Sequence, residues 1–448
     1  MLLRATSACL LLLLSACASY QALPLPASPQ FGSVESLRVD PASLHFAGQK
    51  AHVFNPADGL DMTEVSMLAV CHNPDLRLAR DDAGISQAQS FAAGLLPDPQ
   101  VALTLDKPLN PPDDSSTAVS FGLSEELSSL IQHDAIATAA REKQRQTRLD
   151  LLWQEWQTIA KAHLLFLDVQ LTEAQEQWLA QNRELLQTQA SAMKAALAAG
   201  SVGLDTAQPV LGAAQDAEQQ YQDAFSQARQ ARYDLNALLG LRADTQLKLV
   251  PDTLAPVSPE AVAAAASQLA ERRPDLIALR AGYAAEEAQL RQAVLAQFPS
   301  LNVGVNSARD NSNIRSAGFA IGFTLPVFNR NRGGIAIEKA TRQRLHDEYQ
   351  DRLNDALRMV TQLQAQQEQS RQRLNGLDAR LAELDQRAAA AQKAWAAGEL
   401  DSLTYSSLAS ARISLHQQAT GLREALAEAA VGLEAELGPL PTDLGASP

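Results

Sequence analysis

Cysteine and histidine are both scarce in this chain, and each scarcity removes a class of function. The three cysteines are Cys9, Cys17 and Cys71. Only Cys71 lies beyond residue 17, so no intrachain disulfide framework can form there. None of the seven histidines pairs with another at i, i+4 spacing, and none forms a zinc-like cluster with acids or cysteines. The chain also lacks a phosphate-cradling Gly-rich loop, a nucleophile elbow and a convincing acid pair, so it is read as non-enzymatic, with no cofactor and no metal site. With 37 basic against 51 acidic residues the net charge is −14, which argues against nucleic acid as a partner. After the N-terminal segment no run reaches the roughly 18 apolar residues of a membrane helix, so any span must be made of strands.

What is present begins at the N-terminus. Arg4 precedes an apolar run from Leu10 to Leu14 that ends at Leu14-Ser15-Ala16-Cys17, which marks residues 1–16 as an export signal. The four residues resemble the lipobox of bacterial lipoproteins, which implies cleavage before Cys17 and a covalent lipid on its sulfur. Ala18 in the second mature position, rather than an aspartate, is similar to lipoproteins sorted to the outer membrane. Ordinary secretory cleavage nearby is the alternative. Cys71, beside His72, shares an apolar helix face with Val65, Leu68 and Ala69 and reads as a packing residue.

Self-comparison reveals two copies at an offset near 200 residues. Asn73-Pro74-Asp75-Leu76 recurs as Arg273-Pro274-Asp275-Leu276, Phe121-Gly122-Leu123-Ser124 as Ile321-Gly322-Phe323-Thr324, and Ala198-Ala199-Gly200 as Ala396-Ala397-Gly398. The division that follows is an N-terminal extended segment (17–62), a first repeat (63–250), a linker (251–258), a second repeat (259–438) and a tail (439–448). Helix starts are expected at Thr63-Glu64 and at Ser258-Pro259-Glu260. Each copy reads as helix, two strands, long helix, turn, helix, so the fold class is α+β with two internal repeats.

Each of four segments has one large apolar face. Val101, Leu103 and Leu105 alternate with small or polar residues, as do Val119, Phe121 and Leu123; Leu301, Val303 and Val305; and Phe319, Ile321 and Phe323. A soluble sandwich would alternate too, but here the opposite faces are small or neutral rather than charged, and each length approaches the ~9–11 residues of a tilted membrane strand. Four strands cannot close a barrel, whereas three copies supply about a dozen and leave a passage.

No proline falls between Ala135 and Ala198, where Leu149, Leu152, Trp156, Ala160, His163, Leu167, Leu171, Ala174 and Trp178 recur at helical steps. Leu374, Leu377, Leu381, Leu384, Ala388, Ala391 and Trp395 do the same in the second copy. These are coiled-coil seams on helical hairpins on the order of 90–100 Å long, with His163 a packing residue. A solid dimeric coiled coil would explain the helices but not the strands. The hairpins turn at Gly200-Ser201-Val202-Gly203-Leu204-Asp205 and at Gly398-Glu399-Leu400-Asp401. Val202 and Leu204 there are either intramolecular staples or a partner's contact. Asp205 and Asp401 are either caps or functional acids.

Taken together, these motifs resemble those of the TolC-like outer-membrane efflux proteins, from about Thr63 to Leu437. Phe323-Thr324-Leu325-Pro326-Val327-Phe328-Asn329-Arg330-Asn331-Arg332-Gly333 is similar to a segment of the heavy-metal efflux subfamily. The resemblance implies a homotrimer with a transmembrane β-barrel, a periplasmic α-barrel, an inner-membrane pump and a periplasmic adaptor. It places the adaptor at Val202, Gly203, Leu204, Gly398 and Leu400, and an acidic gate at Asp205 and Asp401. The type I secretion exit duct is an allied alternative, and a lipid-anchored scaffold without a pore is a distinct one.

Overall fold

A computed structural model describes residues 20–34, 37–109, 116–254 and 257–439; Cys17, the export signal and the tail from residue 440 lie outside them. An N-terminal strap carrying a 3-10 turn (Pro41–Ser43) and the short helix α1 (Ala47–Ala51) leads to α2 (Met62–His72) and α3 (Pro74–Ala93). The hairpin β1 (Gln100–Asp106) and β2 (Ala118–Glu126) follows, and β2 runs directly into the 72-residue α4 (Leu127–Ala198). Helix α5 (Leu204–Leu238) returns along it. The second half repeats the plan with α6 (Pro259–Ala266), α7 (Leu269–Arg272), α8 (Pro274–Leu295), β3 (Leu301–Arg309), β4 (Arg315–Phe323), α9 (Arg332–Ala396) and α10 (Ser402–Leu437). At 1.5 Å per residue α4 is about 108 Å long and α9 about 98 Å. Among the described residues no helix is long and apolar enough to cross a membrane.

The helix boundaries have local causes. Helix α2 begins at Met62, one residue before Thr63, because Asp61 closes a capping box with Glu64: Asp61 Oδ1 accepts the Glu64 N–H at 2.8 Å and Glu64 Oε2 accepts the Asp61 N–H at 3.1 Å. The break to α3 falls on Asn73, which Pro74 drives out of the helical region (ψ 127°). Asn73 Oδ1 then caps α3 through the Leu76 N–H at 3.0 Å. The long helices bury their expected seams. Ala160, His163 and Leu167 are buried on α4, as are Leu377 and Leu381 on α9; the remaining seam residues are half-buried except Ala174, which is exposed.

The duplicated X-Pro-Asp-Leu motif ties the start of each short helix to the end of the last helix in its own copy. In the first copy Asn73 Nδ2 donates to the Leu238 carbonyl at 3.0 Å. In the second, Arg272 donates to the Leu437 and Gly438 carbonyls at 3.2 and 3.1 Å, and Arg273 Nη1 to the Glu436 carbonyl at 3.3 Å. Arg273 also holds Asp275 bidentately (3.0 and 2.8 Å), bonds the Glu436 carboxylate and lies 4.6 Å from the Trp153 ring, with its side chain 4% exposed. A buried guanidinium survives here because two carboxylates, Asp275 and Glu436, are hydrogen-bonded to it, and Arg352, 3.5 Å from Asp275, adds a second positive charge to the network.

The core sits at this level, where the short helices meet the long pairs. Val65, Leu68, Phe166, Val169 and Leu235 are fully buried in it. The strap is fastened across the core by parallel bridges, Gly32 to Leu241 and Leu60 to Leu249. Glu155, wholly buried, bonds Arg80 at 2.8 Å and His45 at 2.6 Å. Cys71 is half-buried against the Met67, Val70 and Ile159 cluster, and burial pushes its thiol pKa up, consistent with a packing role. His163 is buried 3.5 Å from Glu434.

Arg273→Ala is expected to cost about 3 kcal/mol, because it strips the buried Asp275 of its bidentate partner, leaving only Arg352 at 3.5 Å, and leaves Glu436 without its arginine. Asn73→Ala is expected to cost about 1–2 kcal/mol, for a cap and one buried hydrogen bond. Thermal unfolding followed by helical circular dichroism measures both, and equal effects would contradict the ion-network assignment.

Candidate functional site

The four strands form one antiparallel sheet in the order β1-β2-β3-β4. Its register brings the four apolar faces together: Val101, Leu123, Val305 and Phe319 stand in one row across the sheet, and Glu125, Val303 and Ile321 in the next. The alternate row on the other face is Ala102, Gly122, Asn306 and Gly318, followed by Thr104, Ser120, Ala308 and Ser316. The large side chains are open: Leu103 is 67% exposed and Phe319 78%. Among the described residues nothing pairs with the outer edges of β1 and β4.

At the opposite end of the helices lie the two turns. Gly200 (φ 71°) and Gly398 (φ 76°) each end a long helix in the left-handed region that favours glycine. In both turns the next residue closes the helix end, Ser201 N–H to the Ala196 carbonyl at 2.9 Å and Glu399 N–H to the Ala394 carbonyl at 2.8 Å. Val202 and Leu400, which correspond in the two copies, are half-buried. Val202 packs on Met193, Ala207 and Val210, and Leu400 belongs to the cluster of Leu179, Leu186 and Tyr405. Trp395 touches both clusters and stacks on Tyr405 at 5.1 Å. Leu204 and Leu403 remain 63% exposed.

The two acids differ. Asp401 is the cap of α10, accepting the Thr404 N–H at 2.8 Å, and this bond, with one from the Thr404 hydroxyl, holds its carboxyl below the usual range. Asp205 is not a cap, a correction to one expectation. Gly203 occupies that position without a side-chain bond, and Asp205 lies exposed in the first turn of α5 with its carboxylate folded over Gly203.

Above the turns, Asp385 on α9 accepts from Arg412 Nε at 2.6 Å and lies 3.0 Å from His416 Nε2. Arg412 Nη1 reaches across to Asn182 on α4 at 3.1 Å. Burial opposes ionisation of Asp385, but the bonds and charges of Arg412 and His416 outweigh it and hold the carboxyl low.

Residues 265–439 match the family model for outer membrane efflux protein. The matched stretch covers most of the second repeat. The likeness of fold extends over nearly the whole chain. The Campylobacter jejuni CmeC outer membrane channel aligns at 15% identity with a TM-score of 0.73, over 94% of this chain and 95% of that one. The open-state Neisseria gonorrhoeae MtrE outer membrane channel aligns at 17% and 0.70, over 94% and 97%. CusC, described in terms of folding and transmembrane channel formation, aligns at 18% and 0.70, over 94% and 100%. No curated protein matches the sequence. The chain thus has the fold of TolC-like outer-membrane factors, as the motifs implied.

Two features of this outer-membrane factor fold escape sequence reasoning. His52, Asp61 and Glu64 come together as potential metal ligands among the described residues. Three of the four carboxylate oxygens of Asp61 and Glu64 already accept backbone N–H groups, including that of Asn55, and the fourth is 3.0 Å from His52. The group is therefore a helix cap. Beneath the sheet, α3, α4, α8 and α9 surround an open pocket of about 520 Å³ lined by Gln89, Lys143, Gln292 and Glu338. Beside it Glu286, 5% exposed, is hydrogen-bonded to Glu338. Burial first, and the second carboxyl next, raise the Glu286 pKa to about 7.

A raised folded-state pKa gives stability that is fully present below the unfolded value of 4.5 and is lost as pH climbs through about 7. Glu286→Gln should therefore stabilise the protein above pH 7, by the order of 2 kcal/mol, and flatten the decline in melting temperature between pH 5 and 8. An unchanged pH profile would show that the two carboxyls do not share a proton.

Proposed function

We propose that this chain is the outer-membrane exit duct of a tripartite efflux system. The observation that carries the reading is the sheet: one apolar face, one small polar face, two edges unpaired among the described residues, and long helical hairpins leading away from it. In lipid an unpaired edge costs several kcal/mol per backbone group. Three copies joined β4 to β1 remove every edge and make a barrel of about twelve strands, with the small residues lining a wet lumen. The hairpins then continue the passage through the periplasm. Cys17, lipidated, anchors each chain in the outer membrane.

The hairpin turns are the docking end for a periplasmic adaptor, through which an inner-membrane pump supplies energy. Leu204 and Leu403 are the apolar residues left open there, whereas Val202 and Leu400 support the turn from within. Exposed Asp205, repeated three times, attracts cations at the mouth, and heavy-metal cations are the substrate class favoured here.

Planar-bilayer conductance, with oligomeric mass measured on the same sample, tests the proposal. Trimers that conduct with a preference for cations are expected, and Asp205→Asn should reduce that preference. Monomers or dimers that never insert would overturn the channel reading.

A further inference from the structure

The apolar face of the sheet ends abruptly in positive charge. Its last row is Leu105, Val119, Arg309 and Arg315, so two arginines stand directly opposite each other on the face that carries Leu103, Phe121 and Phe319. This is the hairpin end of the sheet, away from the helices. Like charges opposed across strands destabilise a sheet unless something of opposite charge lies between or over them. Among the described residues Arg309 makes one long side-chain bond, to the Thr117 carbonyl at 3.5 Å, and its Nε has no partner. Arg315 has no ion pair or side-chain hydrogen bond among the described residues. The neighbouring described acids are committed elsewhere. Asp310 Oδ1 accepts from the Ser312 and Ile314 N–H groups, and Asp106, paired with Ala118, is on the other face.

The height of this row is informative. Eight residues separate Leu301 from Arg309, about 26 Å along a strand and about 20 Å along the normal of a barrel tilted by ~40°. The row therefore meets the membrane surface on the side away from the helices, where the apolar band ends. This rests on the barrel reading given above. We propose that Arg309 and Arg315 form a binding site on each chain for the phosphate groups of the lipid headgroups in the outer leaflet. Arginine suits this because its planar fork donates two parallel bonds to phosphate oxygens while its stem lies along apolar surface. Each bound headgroup removes the repulsion between the pair and anchors the barrel at a fixed depth.

The full-length protein in nanodiscs would be titrated with a bisphosphorylated glucosamine lipid, with its dephosphorylated form and with inorganic phosphate, and bound lipid counted by native mass spectrometry. Preferential retention of the phosphorylated lipid is expected, weakened about thirtyfold in R309Q/R315Q and little altered by inorganic phosphate. Conductance of the same samples reports on folding and insertion. A conducting wild type that retains both lipids equally, or a conducting double variant that retains as much phosphorylated lipid as wild type, overturns the site alone. Competition by millimolar inorganic phosphate would identify a free-anion site and overturn the lipid assignment. A protein that never inserts overturns the barrel reading and this site with it.

Discussion

A β-strand in a bilayer has to find a partner for every backbone N–H and carbonyl, because hydrocarbon offers none. Most of what is distinctive in this chain follows from that requirement. The sheet has four strands and two open edges, so the proposed span is complete only when other copies supply the missing neighbours. The three-chain ring meets that need with an interior wide enough to pass solute. The side chains agree with it row by row, since the register collects the large apolar residues on one face and Gly122, Gly304 and Gly318 with Asn306 on the other.

The helices solve a different problem, which in the proposed duct is to extend the passage on the order of 100 Å from a thin sheet. Duplication supplies two hairpins, and each is fastened at one level by its own X-Pro-Asp-Leu motif. The fastening is asymmetric in strength. Asn73 offers a cap and one hydrogen bond to Leu238, whereas Arg273 is the centre of a buried network with Asp275 and Glu436. Lower down, Arg412 joins Asp385 to Asn182 and so links the second hairpin to the first. Bonds of this kind hold the long helices of the two hairpins in register.

Periodicity made the strands, the long helices and the repeat legible in the sequence, since each is a local pattern repeated without interruption. Contacts between residues distant in the chain were not legible. Val202 and Leu204 looked alike as apolar turn residues, yet Val202 is covered by a cluster that includes Trp395, from the other hairpin, and Leu204 is open. Asp205 and Asp401 were equivalent acids until the backbone made one a cap, because a residue before the helix can receive the Thr404 N–H and one inside the first turn cannot. The Glu286–Glu338 pair lies on different helices on either side of the second strand hairpin, with no spacing signal to join them. Leu403 was missed because helical phase alone does not say which side of a turn faces solvent.

The central claim is that one face of the sheet meets lipid and the other lines water, and site-directed thiol labelling tests it most directly. In a background with Cys71 replaced, single cysteines would be placed in turn at Phe319, Ala320, Ile321 and Gly322. Each would be treated in reconstituted membranes with a charged, water-soluble thiol reagent. The account predicts alternation: fast reaction at 320 and 322 through the lumen, with 319 and 321 protected until detergent removes the lipid. Uniform reaction at all four positions would mean that both faces are wet and would contradict it.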